Sequence, residues 1–346
     1  MTNKKFESIS LSELPEEKVA VHDDVLREME PFVRQQLVFL RPVDEAWQPS
    51  DLLPDMKADG WRETLAELQK RSAQMTDELL VVLIGNLVTE EALPSYQTWL
   101  NRADAIKDQT GVDDTAWALW SRGWTAEENR HGEVLNKYLY LTGRVDMHAF
   151  EITVHHLIRN GFDLKSGNDP YKSLVYASFQ ERATKISHAN AGKLAEKCGE
   201  AVLGNICSVI AGDEARHEEV YKRFVAELFR IDPRGAIKAF ALMMRQKIAM
   251  PARLMADGSG RDIFAQFAIV AQKSGIYTTR DYADVIAHLV DYWKVGSLRG
   301  LTGDAAAAQE FLCGLAEHYL SKADRIEEIL PSLPPEPFRW IFDRCV

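Results

Sequence analysis

The chain has 346 residues, of which 46% are hydrophobic and 27% are charged, and this composition excludes a disordered or fibrous protein. Its net charge of −11 argues against attraction to nucleic acid or to an anionic membrane surface, so we expect neither as a partner. The four cysteines are scattered, without a Cys-x-x-Cys pair, which favours reduced thiols over a disulfide framework.

The beginning of the chain contains several acidic residues and no apolar run as long as that of a signal peptide. The longest apolar run, residues 79–85, is far shorter than a membrane span. We therefore expect a bacterial cytoplasmic protein, with the plastid stroma as the alternative if the chain is a processed mature form. We predict an N-terminal extension, residues 1–20, followed by a single domain, residues 21–346.

Apolar residues recur every three or four positions over eleven segments, which predicts amphipathic helices. No segment shows a convincing alternating strand pattern, and two segments rich in proline and aromatic residues, 47–55 and 338–344, are expected to cross the bundle as straps. The predicted helices cover residues 23–40, 61–73, 76–103, 115–141, 147–161, 171–198, 200–229, 233–250, 263–275, 278–292 and 305–330.

One predicted helix carries an acid and a histidine within its apolar face. Trp120, Trp124, Glu128, His131 and Leu135 follow one another at steps of three or four residues, which places them on one side of a helix. The glutamate and the histidine are therefore expected to point inward with the aromatic side chains.

The helix over residues 200–229 repeats this pattern, because Glu214 and His217 interrupt an otherwise apolar row. Two further helices each place a single acid in an apolar row, Glu90 in one and Glu181 in the other. Buried carboxylates without a partner are costly, so four of them with two histidines require a compensating positive charge.

Two bound metal ions would supply that charge. A lone glutamate followed by a Glu-x-x-His pair, occurring twice along the chain, matches the ligand pattern of ferritin-like di-iron and di-manganese proteins. Oxygen-rich ligation with one imidazole per metal favours iron or manganese. The predicted ligands are Glu90, Glu128, His131, Glu181, Glu214 and His217.

Long strings around these residues resemble the soluble acyl-acyl carrier protein desaturases, of which the plastid stearoyl enzymes are the best known. The resemblance runs in order from about residue 20 to the end of the chain. It rests on WQPSDLLPD (47–55), TEEALPSYQTWLNR (89–102), WTAEENRHGEVLNKYLYLTGRVDM (124–147), SFQERATKISH (178–188), AGDEARHE (211–218), MMRQKIAMPARLM (243–255) and WIFDR (340–344).

The resemblance implies an all-α, ferritin-like bundle of about ten or eleven helices around a di-iron four-helix core. It implies two iron ions per subunit, held by the six predicted ligands, and a homodimer. The implied reaction introduces a cis double bond into a saturated fatty acyl chain carried by acyl carrier protein, with dioxygen and electrons from reduced ferredoxin.

The resemblance also assigns roles to other residues. Trp47 and Asp213 would connect His131 to the surface, where electrons enter. Thr184 matches a hydroxyl near the oxygen-binding face, although a threonine inside a helix also bonds its own i−4 carbonyl. Trp99 and Arg102 fall in the stretch that lines the family's substrate cavity, and the bulky cation at 102 leaves acyl length and double-bond position open.

Three alternatives remain at this point. Another di-metal oxygenase on the same scaffold, a hydroxylase or an N-oxygenase, would use the same ligands. A ferritin-like iron-handling protein would also use them, although such chains are usually about half this length and form shells. A member that binds acyl carrier protein without catalysis is disfavoured, because all six ligands are present.

Overall fold

The computed structural model describes residues 16–346, and it describes side chains from residue 21 onward. Most of the predicted N-terminal extension, residues 1–15 of 1–20, therefore lies outside the described residues. The described part contains fourteen α-helices: α1 Glu16–Glu28, α2 Glu30–Gln36, α3 Pro49–Leu52, α4 Trp61–Ser72, α5 Asp77–Glu90, α6 Leu93–Leu100, α7 Ala116–Thr142, α8 Met147–Asn160, α9 Pro170–Lys197, α10 Ala201–Ile231, α11 Pro233–Gln246, α12 Ile263–Ser274, α13 Thr279–Tyr292 and α14 Asp304–Ile329.

The all-α prediction is confirmed. The described residues form more helices than the eleven predicted segments, mainly because predicted segments divide into two helices. The segment 76–103 forms α5 and α6, with Pro94 in the first turn of α6, where its missing N–H costs nothing. The segment 23–40 likewise divides at Met29, and Pro31 lies in the first turn of α2. The strap 47–55 adds the single turn α3.

Two short strands near the C-terminus were not predicted. β1, Pro337–Phe338, pairs antiparallel with β2, Arg344–Cys345. Each strand has only two residues, so no alternation of apolar and polar residues exists in the sequence to reveal it.

Side-chain caps begin three of the four helices that carry the predicted ligands, α5, α7 and α9. Thr115 begins α7 by accepting a hydrogen bond from the backbone of Ala118, and Gly143 ends it in the left-handed region at φ +65°. Asp169 begins α9 by accepting from the backbone of Tyr171. These caps fix where each helix starts, and hence which residues face the bundle interior.

The predicted ligands of α7 and α10 lie between two hydrophobic clusters. On α7, Trp117 and Trp124 belong to one cluster and Leu135 to the other; on α10, Phe224 belongs to the first and Leu203 to the second. Both helices therefore pass from one apolar region to the other, and their Glu-x-x-His pairs occupy the boundary.

The stretch Asp77–Leu100, which comprises α5 and α6, is long and apolar enough by composition to cross a membrane. Of its most apolar window, 67% is buried against other parts of the protein. This burial is what a central helix of a bundle requires, because it packs on all sides.

Candidate metal centre and adjoining cavities

Four helices bring the six predicted ligands together. Glu90 is the last residue of α5, Glu181 lies within α9, and α7 and α10 each contribute a glutamate and a histidine one turn apart. None of the six residues is more than 8% exposed.

The six residues form two overlapping groups, and within each group the ligand atoms lie within 4.8 Å of one another. Glu128 and Glu214 belong to both groups, so their carboxylates lie between the two positions at which an ion could bind. The groups are Glu90, Glu128, His131 and Glu214, and Glu128, Glu181, Glu214 and His217.

Both imidazole rings turn the same nitrogen toward the carboxylates. Nδ1 of His131 lies 3.3 Å from Glu128 Oε2 and 3.4 Å from Glu214 Oε1. Nδ1 of His217 lies 2.7 Å from Glu128 Oε1 and 3.5 Å from Glu181 Oε2. The Nε2 atoms point outward, away from the cluster.

Several polar atoms at the centre of this cluster are buried without a properly oriented hydrogen bond, namely Glu128 Oε1, His131 Nδ1 and His217 Nδ1. Buried polar atoms are normally satisfied, so such a set at one place requires an explanation. A pair of cations held by carboxylate oxygens and one imidazole each explains it, and this donor set suits iron or manganese. The residues present therefore fit a metal site.

The surroundings shift the pKa values of these groups in opposite directions. Burial raises the pKa of Glu90 and, more strongly, that of Glu181. Burial alone would also raise the pKa of Glu128, but the nearby His131 and His217 lower it to about 2. Burial would lower the pKa of both histidines, and the surrounding carboxylates raise it well above the usual range. Metal binding must therefore displace protons from the Nδ1 atoms.

The structure places Trp47 and Asp213 in contact beside His131. The indole Nε1 donates to Asp213 Oδ2 at 2.9 Å, and the same oxygen lies 3.5 Å from His131 Nε2. The indole and imidazole rings are nearly parallel, with centroids 6.1 Å apart. Trp47 is only half-buried, so a continuous line of contacts joins the protein surface to a predicted ligand.

An equivalent carboxylate lies behind His217, and it was not predicted. Glu127 Oε2 lies 3.0 Å from His217 Nε2, and the same oxygen accepts from Arg216 at 2.7 and 2.8 Å. Arg216 also donates to Asp213, so one guanidinium joins the two outer carboxylates.

A signal for Glu127 was present in the sequence. Residues 127–131 read Glu-Glu-Asn-Arg-His, and residues 213–217 read Asp-Glu-Ala-Arg-His. Each segment contains an acid, a ligand glutamate, a variable residue, an arginine and a ligand histidine. The acid before Glu128 therefore corresponds by position to Asp213, the acid before Glu214.

His188 also contacts a predicted ligand, and it was not predicted as a site residue. Its Nε2 lies 3.0 Å from Glu90 Oε1, and its side chain is almost completely buried. The spacing from Glu181 places it on the same face of α9, two turns further along. This hydrogen bond holds one oxygen of Glu90 and leaves the other directed at the cluster.

Thr184 bonds the carbonyl of the preceding helical turn, as a threonine inside a helix can, and it also contacts a predicted ligand. Its hydroxyl lies 2.9 Å from the carbonyl oxygen of Gln180, one helical turn earlier, and 2.8 Å from Glu214 Oε2. The hydroxyl therefore reaches a carboxylate that both metal positions share.

Two cavities adjoin the cluster and meet beside it. The larger has a volume of about 320 Å³, and the smaller about 70 Å³. Their shared lining residues are Thr89, Glu90, Gln180, Thr184 and Pro251. A flexible ligand that filled both cavities would pass beside four of the cluster's residues, Glu90, Glu128, Glu181 and Glu214.

Trp99 lines the smaller cavity, whereas Arg102 lines neither of the two cavities beside the cluster. Trp99 packs edge-on against Tyr176, with ring centroids 5.9 Å apart. Arg102 is exposed, and its guanidinium donates to Asn168 Oδ1 at 3.1 Å.

Comparison with known proteins supports the resemblance seen in the sequence. The model of a family described as fatty acid desaturase matches residues 21–342. The chain is 48% identical, over 332 residues, to the chloroplastic stearoyl-[acyl-carrier-protein] 9-desaturase of Simmondsia chinensis, covering 96% of this chain and 82% of that protein. It is 49% identical, over 310 residues, to the acyl-[acyl-carrier-protein] 6-desaturase of Thunbergia alata, covering 90% and 80%.

A solved structure shares the fold. The X-ray structure of DesA2 from Mycobacterium tuberculosis, a candidate acyl-ACP desaturase, superposes with a TM-score of 0.52 at 20% identity, covering 83% of this chain and 99% of that one. At this identity the likeness concerns the helical architecture alone. Together with the family match over nearly the whole described chain, it leads to one conclusion: the chain belongs to the fatty acid desaturase family.

Proposed function

We propose that this protein is an acyl-acyl carrier protein desaturase that introduces a cis double bond into a saturated fatty acyl chain. The observation that carries this proposal is the position of the six-residue cluster, which lies where two cavities meet. The names of the relatives support the substrate class, because they specify acyl chains on acyl carrier protein.

Two iron ions per subunit are part of the proposal. Glu90 with His131, and Glu181 with His217, would each hold one ion, and Glu128 and Glu214 would contact both. Iron bound in this way supplies the dioxygen-dependent redox chemistry that breaks unactivated C–H bonds, which side chains alone cannot perform.

The protein's own contribution is to position the substrate. An acyl chain that threads both cavities is held where they meet, at Glu90 and Thr184. This confinement keeps two adjacent methylenes within reach of the cluster and keeps bulk water away from it. Thr184 holds a proton on its hydroxyl at this junction, hydrogen-bonded to Glu214.

Electrons would come from reduced ferredoxin. The contacts from Trp47 through Asp213 to His131 support an entry route, since they form an unbroken path from a half-buried indole to the cluster. Asp213 also fixes which nitrogen of His131 faces the metal, as an outer carboxylate normally does for a ligating imidazole.

The homodimer and the bacterial cytoplasmic location expected from the sequence also belong to the proposal. The relatives include proteins named as chloroplastic, which keeps the plastid stroma as the alternative location. Native mass in solution tests the dimer, and fractionation of the source cells tests the location.

Oxygen consumption tests the proposed reaction class. The iron-loaded protein with reduced ferredoxin should consume dioxygen faster when a saturated acyl-acyl carrier protein is added. Glu128→Gln should abolish the substrate-dependent rate, whereas Glu133→Gln, an exposed position on the same helix, should retain it. Equal oxygen consumption with and without the acyl carrier protein would contradict the proposal.

A further inference from the structure

Helix α12 forms one wall of the larger cavity. The residues that it contributes are spaced as on one face of a helix, and Ala265 and Lys273, which lie away from that face, are exposed. A single helix therefore separates this part of the cavity from solvent. The residues of α12 that line the cavity are Phe264, Phe267, Ala268, Ala271 and Gln272.

Because its inner face lines a cavity, α12 is less firmly held than the helix on which it packs. Only three of its twelve residues are buried, namely Ile263, Val270 and Ala271. In α5, ten of the fourteen residues are buried. Few buried contacts lower the free energy that is needed to open a segment locally. We therefore expect α12 to open more readily than α5.

Phe267 holds α12 against α5 at a position that has no side chain. The ring lies directly over the backbone of Gly85, so that a Cβ atom at residue 85 would overlap three of the ring's carbons. Carbon atoms that are not bonded to each other pack at about 3.5–4.0 Å. The ring can therefore occupy this position only because residue 85 is glycine.

Glycines in the left-handed region lie on both sides of α12. Gly260 precedes the helix at φ +79°, and Gly275 follows it at φ +69°. Glycine adopts this region without steric cost. Backbone changes during the closure of a lid are concentrated in a few residues at the ends of the moving element, and these are often small. The two glycines therefore provide hinges for α12.

We propose that α12 is a lid over the larger cavity, and that the contact of Phe267 with Gly85 holds this lid closed in the absence of substrate. The inference rests on the proposed function, because the ligand beneath the lid is the acyl chain. The chain enters when Phe267 leaves its position over Gly85. Once inside, it gives the inner face of α12 an apolar surface to pack against, and the closed lid keeps water from the reacting carbons.

Hydrogen exchange of the backbone amides of α12 tests this proposal. The exchange is followed by mass spectrometry in iron-loaded protein without reductant, alone, with acyl carrier protein that has no acyl chain, and with stearoyl-acyl carrier protein. Gly85→Ala displaces the Phe267 ring, and Phe267→Leu serves if the alanine variant does not fold. Gly212→Ala is the matched control, since it makes the same substitution within a helix, where the added Cβ meets no other described part of the protein within 4 Å.

We expect Gly85→Ala to speed the exchange of α12 by about tenfold, the effect of losing one well-packed aromatic contact, and Gly212→Ala to leave it unchanged. The stearoyl carrier protein should slow the exchange of α12 in the wild type, and the carrier without an acyl chain should not. Exchange that neither Gly85→Ala nor Phe267→Leu alters, or that Gly212→Ala raises equally, would overturn the inference.

Two outcomes separate the lid from the proposed function. If the stearoyl carrier protein does not slow the exchange of α12 in a preparation that forms the desaturated product, the inference is overturned and the proposed function stands. If it slows the exchange but no product forms after reductant and dioxygen are added, the result supports the lid and counts against the proposed function.

Discussion

Glu127 and Asp213 each contact the ligand histidine of the other's helix. Glu127, on α7, contacts the outward nitrogen of the histidine of α10, and Asp213, on α10, contacts that of the histidine of α7. Each acid directly precedes a shared glutamate. Each helix therefore supplies a glutamate and a histidine to the cluster, and the acid that orients the histidine of the other helix.

Neutralising either outer carboxylate should weaken metal binding. Glu127→Gln and Asp213→Asn keep the size of each side chain but remove the charge that orients the imidazole. We expect each to lower iron affinity by about ten- to a hundredfold, measured by titration of the metal-free protein. The exposed Asp44→Asn should bind iron like the wild type. Unchanged affinity in both variants would show that these carboxylates do not position the histidines.

Trp47→Phe should separate electron supply from metal binding. Phenylalanine keeps an aromatic ring in the strap but cannot donate to Asp213. Iron content should remain normal, while ferredoxin-driven reduction should slow by about tenfold. Reduction by a small chemical reductant provides the internal control and should keep its wild-type rate. Equal slowing with both reductants would indicate a damaged cluster instead of a lost entry route.

The shared glutamates should matter more for metal content than the unshared ones. Glu128→Gln removes a ligand from both groups, whereas Glu90→Gln removes one from a single group. We expect Glu128→Gln to lose most of both ions and Glu90→Gln to retain about one, measured as iron per subunit. Identical iron contents in the two variants would contradict the assignment of Glu128 to both positions.

His188 should give the metal-free protein a stability that depends on pH. Burial alone would lower the pKa of His188, but contacts with the Cys207 thiol and the Glu90 carboxylate raise it to about 10. A pKa that is higher in the folded state contributes stability that is complete below the unfolded value of about 6.5 and lost as pH rises through about 10.

The measurement is the difference in Tm between metal-free wild type and His188→Asn across this range. The difference should be largest near pH 6 and should shrink steadily toward pH 10. A difference that stays constant with pH would mean that the charge of His188 does not stabilise the fold.

Much of the architecture follows from local sequence signals. The helices that carry the ligands were predicted to within one or two residues at most ends, because their apolar periodicity is long and their caps, such as Thr115 and Gly143, are recognisable. The division of 76–103 was missed because the apolar rhythm continues through the break before Pro94. Periodicity reports the buried face of a segment, and it does not report a change of axis.

The cluster itself could be predicted because an acid in an apolar helical row conflicts with burial. The six residues chosen on that ground do lie together. The outer residues were harder, because Glu127 and His188 act through contacts with other helices that spacing alone does not show. Arg102 likewise donates to Asn168, 66 residues away in the chain, a contact that spacing does not show.

Mass spectrometry of the acyl chain distinguishes desaturation from the other reactions that this cluster could perform. Iron-loaded protein is incubated with saturated acyl-acyl carrier protein, reduced ferredoxin and dioxygen, and the released acyl chain is compared with that from Glu181→Gln. We expect a chain lighter by two hydrogens, with a single cis double bond, from the wild type alone. A chain heavier by one oxygen would identify a hydroxylase, and an unchanged chain from iron-loaded protein would contradict the assignment of desaturation to this cluster.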